Sequence, residues 1–146
     1  MKKHEITPAL EALKPVKVNK IGNDKFKKSL LAAYTTLVKE KKKLDEDVAT
    51  LEKVHLSPFE KEMEEVARLQ QEMGTETDRN RQIEIVREIN SHKDLIEANK
   101  ALAKAKNDLG NEEITLQGLD MDTFIDEMDK QGYELGLLEA VFPMFK

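Results

Sequence analysis

Residues Leu30, Tyr34, Leu37, Lys41, Leu44, Val48 and Leu51 follow one another at intervals of 4, 3, 4, 3, 4 and 3. Seven residues in that rhythm form a single stripe along an α-helix, and a stripe of this kind has to be covered by another helix. A strand could not hold them on one face, because its side chains alternate with period two. The chain is therefore expected to be mainly α, with a helix from Asp24 to about Val54 packed lengthwise against a partner. Lys41 interrupts the seam, either to set register or to carry its ammonium out to water on a long stem.

The run Ser57-Pro58-Phe59-Glu60 offers an N-cap serine, a proline at the first helical position and a glutamate at the third. That capping box predicts that the first helix stops at His55–Leu56 and a second begins at once. Phe59, Met63, Val66, Leu69 and Met73 carry the second stripe, with a kink or short loop expected at Gly74. The stripe resumes through Ile85, Ile89, His92 and Ile96, then shifts to Leu95, Ala98, Leu102, Ala105 and Leu109. The expected architecture is a long antiparallel, coiled-coil-like helical hairpin with arms of about 24–54 and 58–109. Two lone helices bury too little to offset an ordering cost of about 1–2 kcal/mol per residue. A third helical segment or a second copy of the chain must therefore cover the shifted stripe.

The ends carry a different pattern. Thr7 to Leu13 reads as a short helix with Pro8 near its start. Val16 and Val18 after Pro15, and Ile114 and Leu116 within Glu113–Gln117, alternate with polar residues as strands do. A hairpin returns the chain to its beginning, so these two segments are expected to form a small two-stranded antiparallel β-ribbon at its base. The base would comprise 1–22 and 111–146, and the whole would be a single elongated domain, 1–146. Asp120-Met121-Asp122 starts a short helix with Phe124, Ile125 and Met128 inward, and Gly132 ends it. The last segment, with Leu135, Leu138, Val141, Phe142 and Phe145, is the most apolar in the chain. It either closes the base as core or docks into a partner's groove.

Composition removes several classes of function. The absence of cysteine excludes disulfides, thiolate metal sites and a cysteine nucleophile. Ser29, Ser57 and Ser91 suggest no nucleophile with a readable base, and the few glycines make no phosphate-cradling loop. His92 lies on a helical stripe, where a packed histidine is the ordinary case, and no metal site is expected. Asp122, Asp126 and Asp129 share one helix face but lack the calcium-loop pattern, so they read as a solvated acidic face. No catalytic residue, cofactor or metal is assigned.

Charge is unevenly distributed: residues 1–54 hold 13 lysines against 8 acidic residues, whereas 111–146 holds 9 acidic against 2 basic. The basic half has no arginine and only Phe26 and Tyr34 as aromatics, which disfavours nucleic acid as a partner. Lys39 to Lys43 is read as a solvated helix face. No apolar run approaches the roughly 20 residues that span a bilayer, and Met1-Lys2-Lys3-His4-Glu5 leads into no signal-peptide core. A cytoplasmic protein that does not enter membranes is expected.

The order of elements adds one resemblance. Ala9 to Val18, the charged helix after it, and the closing Glu113 to Asp120 with a terminal Leu-Glu-Ala helix resemble small phage and prophage proteins of uncharacterised function. The similarity covers about 50 residues at the two ends, and the middle from Ser57 to Asn107 is much longer here. It implies a phage or prophage accessory protein in host cytoplasm or virion that acts by protein–protein binding. A structural or assembly adaptor is the first expectation, and a small acidic inhibitor or regulator of a host or phage enzyme the second. The partner would be another phage or host protein or a second copy of the chain. The expected binding residues are Leu135, Leu138, Val141, Phe142 and Phe145 with Asp122, Asp126 and Asp129.

Overall fold

The computed structural model describes residues 1–146, and the protein is mainly α. Seven helices follow in order: α1 (Ile6–Leu13), α2 (Asp24–Leu56), α3 (Glu60–Thr75), α4 (Arg79–Ser91), α5 (Lys93–Asn111), α6 (Met121–Asp129) and α7 (Leu135–Val141). The span 1–146, expected as one domain, divides into two compact units, one of residues 1–46 with 108–146 and one of 47–107.

In the first unit, Ile6, Ala9 and Leu13 of α1 lie on one face at helical spacing and are buried. They join Phe26, Leu30, Ala33 and Leu37 of α2, Phe124 and Met128 of α6, and Val141 and Met144 at the end of the chain. The apolar tail is thus core along one side. An edge-to-face series of rings runs through it: Phe26 to Phe124 at 6.2 Å, Phe124 to Phe145 at 5.2 Å and Phe145 to Phe142 at 6.2 Å between centroids. The α2 stripe behaves as its spacing predicts, with Leu30 and Leu37 buried and Tyr34, Lys41 and Leu44 half-buried. Lys41 reaches out of the seam to Asp45, one turn on.

The expected β-ribbon does not form. Val18–Lys20 is a single 3₁₀ turn, and Glu113–Gln117 is irregular apart from one antiparallel bridge between Lys2 and Glu113. The donors of the first segment are used locally: Val16 N–H donates to Leu13 O, Ile21 N–H to Val18 O, and Pro15 has none to give. The backbone of Lys17 pairs instead with a side chain, donating to Gln131 Oε1 at 3.1 Å and accepting from Gln131 Nε2 at 3.1 Å. The Tyr133 hydroxyl donates to Pro15 O beside it. Gly118 lets the chain pass the backbone of Lys146 at a distance a Cβ would crowd, and a parallel bridge between Leu119 and Phe145 follows.

In the second unit, the reversal of direction falls at Glu76–Asp78, not at Ser57. Pro58 lacks the N–H that would continue the ladder, and the chain answers with a 3₁₀ turn, Ser57–Phe59, before α3 resumes. Ser57 makes no capping bond. The pairs across the unit show the path: Glu52 meets Lys106 at 2.7 Å, Glu62 lies 3.5 Å from His92, and Glu72 meets Arg81 at 2.9 Å. Ascending positions on one arm face descending positions on the other, as in an antiparallel hairpin. At the tip, the Glu76 carboxylate accepts from Thr77 and Asp78 N–H, and Asp78 caps α4 through Asn80 N–H. Gly74 stays helical inside α3. The shift of the stripe has a local cause in His92, whose ψ of 62° separates α4 from α5 and resets the helical phase. Ile85 is buried before the break, and Leu95 and Leu102 after it.

Candidate protein-binding surface

Helix α6 starts where Asp120 Oδ2 accepts from the Thr123 amide at 2.9 Å and the Thr123 hydroxyl at 2.6 Å. That hydroxyl, with the amide, holds the Asp120 carboxyl below its ordinary range. Phe124, Glu127 and Met128 point inward. Gly132, at φ 73°, ends the helix, with Tyr133 N–H donating back to Met128 O at 3.3 Å. This turn delivers α7, whose Val141 anchors it in the core.

The eight residues expected to meet a partner separate into two groups. Val141 is fully buried, and Leu138 and Phe145 are half-buried against the core. Leu135 is 84% exposed and Phe142 63% exposed. Asp122, Asp126 and Asp129 are all exposed on the outer flank of α6. Ile125, expected inward, is 41% exposed, because it lies about 100° around the helix from Phe124. Together Ile125, Asp129, Leu135 and Leu138 line a shallow recess of about 150 Å³ between α6 and α7. Sequence reasoning passed over Met121, which is exposed on α6, and Glu127, which is buried. Glu127 follows Phe124 at i+3 and precedes Met128, so the stripe itself places it inward.

Glu127 is what fixes α6 to the start of α2. Its carboxylate accepts from Gly22 N–H at 3.1 Å and Asn23 N–H at 3.2 Å, while Asn23 Oδ1 caps α2 by accepting from Phe26 N–H. The Gly22 amide, with Lys130 and Asn23, holds the Glu127 carboxyl below its ordinary value of 4.5 despite burial. A depressed folded-state value means that this stabilisation is complete above pH 4.5 and is lost as the pH falls through the folded-state value. Asp120, held down by Thr123, and Glu72, held down by Arg81, act in the same direction. The Glu127→Gln protein is therefore expected to melt earlier than the parent at neutral pH, with the gap closing on acidification. A constant gap across thermal melts from pH 7 to pH 3 would show that the charge is not what matters.

Elsewhere, no buried side-chain nitrogen or oxygen is left without a partner, and no group of three or more acidic residues or histidines is placed to hold a metal ion. No helix is long and apolar enough to cross a membrane. Compared with known proteins, the chain matches no family model, no curated sequence and no solved structure.

Proposed function

We propose that the chain is a non-enzymatic binding protein that docks another protein on its α6–α7 face, and that it serves as an accessory protein of phage or prophage origin in a structural or assembly role. The observation that carries this reading is the exposure of Leu135, in a recess it shares with Asp129 and Ile125, and of Phe142 at the end of α7, on elements whose other faces are fixed in the core. A rigid apolar anchor beside a charged rim is the anatomy of an interaction surface. Covering each anchor would contribute about 1.5–3 kcal/mol, enough for two residues to decide whether a complex forms. The acidic balance of 111–146 supports a second reading, a small inhibitor that meets a basic surface on an enzyme.

A photo-crosslinking residue in place of Leu135 tests the proposal in the cells that make the protein. Covalent adducts at position 135, and none with the same group at exposed Ala49, are expected. A lack of adducts at 135 would overturn it. Neutralising Asp122, Asp126 and Asp129 together separates the two roles, since an inhibitor held mainly by charge loses its target, whereas an adaptor anchored also by apolar residues is weakened only in part.

A further inference from the structure

We infer that the occupant of the α6–α7 face is a second copy of this chain, which presents the outer flank of its α4. The inference rests on the reading of α6–α7 as a binding surface and names the partner.

Near the tip of the second unit, Met73, Arg79, Gln82, Ile83, Val86 and Arg87 line an open cleft of about 400 Å³. Ile83 is 43% and Val86 44% exposed, the same half-covered state as Ile125 on α6. At 100° per residue, Arg79, Ile83, Val86 and Arg87 fall within an arc of about 100°. The carboxylates of α4, Glu84 and Glu88, lie away from this strip, where Arg81 holds each at 3.3 Å and also meets Glu72 of α3 at 2.9 Å. The bond to Glu72 is bidentate, through Nε and a terminal nitrogen. Arg79 and Arg87 make no ion pair. One arginine of α4 is thus consumed in holding the hairpin tip, and two flank an uncovered apolar strip. Arginine beside methionine and aliphatic residues is the composition enriched at protein interfaces.

The outer flank of α6 is the counterpart in charge and in length. Asp122, Asp126 and Asp129 fall within an arc of about 60°, with Ile125 and Met121 next to them. Arg79 and Arg87 are separated by about 12 Å along α4 and Asp122 and Asp129 by about 10.5 Å along α6, at 1.5 Å per residue. Laid side by side, the two helices bring an arginine to an aspartate at each end and Ile83 and Val86 to Ile125 in the middle. Two α4 flanks would oppose arginine to arginine, and two α6 flanks aspartate to aspartate. The charges therefore favour α4 of one copy on α6 of another over either helix on its own counterpart.

Complementary charge reversal tests this by sedimentation velocity on the full chain. The parent is expected to self-associate increasingly with concentration, and less at high salt. Arg79→Glu with Arg87→Glu in one chain, and Asp126→Lys with Asp129→Lys in another, should each weaken self-association about tenfold or more. Mixing the two altered chains should restore it, because the unaltered α4 of the second chain meets the unaltered α6 of the first and the acidic α4 of the first meets the basic α6 of the second. All four positions are exposed, and thermal melts establish that both chains fold. If either melts early, Arg79→Ala with Arg87→Ala and Asp126→Asn with Asp129→Asn give the weakening arm alone. A parent that stays monomeric to millimolar concentration, or altered chains that associate as the parent does, would overturn the inference. An adduct from position 135 to a different protein, with a monomeric parent, would overturn it while leaving the binding surface intact. Loss of both signals would remove both readings.

Discussion

Phe124→Ala is expected to cost the first unit about 3–5 kcal/mol, a large part of the 5–15 kcal/mol that typically holds a domain together. Phe124 is almost wholly buried, and its ring meets Phe26 and Phe145 edge-to-face. Truncation leaves a space that α2, α6 and the chain end, each tied by other contacts, cannot close by small movements. Chemical denaturation followed by circular dichroism should show the first unit's transition moving to much lower denaturant, with that of residues 47–107 changed little. A loss below about 1 kcal/mol would mean that the ring is not the centre of this core.

The second large effect is on binding, with a much smaller effect on stability. Leu135→Asp with Phe142→Asp removes the two most exposed apolar anchors of the α6–α7 face. Leu135→Asp is an exposed substitution that costs within about 0.5 kcal/mol, and Phe142→Asp adds the loss of the edge-to-face contact with Phe145, about 0.5–1.5 kcal/mol, so the melting curve should shift only modestly. Interface anchors are worth about 2 kcal/mol or more apiece, and two of them together correspond to a loss of affinity of several hundred-fold or greater. Titration of the crosslinked partner with parent and altered chains reads this directly. Equal affinities would mean that the exposed residues are ordinary surface apolar groups, which need no partner. Removing the whole segment after Gly132 would not make the same test, because Val141 and Met144 are core and the first unit would lose its packing.

What the sequence made legible followed from periodicity. The stripe from Leu30 to Leu51 described a helix and its inward face, the Asp120 cap and Gly132 stop bounded α6, and the apolar tail held the core residues Val141 and Met144. What it misread depended on where hydrogen bonds and distant partners lie. Val16, Val18, Ile114 and Leu116 do alternate, and all four are half-buried, but alternation reports burial and not a ladder. The proline and serine of Ser57–Glu60 are as compatible with a 3₁₀ turn inside a helical path as with a new start. The choice was made far away, by Arg81 on Glu72 and Lys106 on Glu52. His92 kept its place on the stripe while its backbone broke the helix, so the rotated stripe looked like a second contact face. The binding residues were only partly separable, because Leu135, Leu138 and Val141 step by three, each about 60° around the helix from the one before, while their burial depends on α1 packing against α7.

The most direct test of the account is the mass of the full chain in solution, by light scattering across a range of concentrations, beside that of the Arg79→Glu, Arg87→Glu chain. The account predicts a parent mass that climbs above 16.7 kDa as concentration rises, and an altered chain that stays near 16.7 kDa over the same range with an unchanged melting curve, because both arginines are exposed. Two chains of equal mass at every concentration would contradict it.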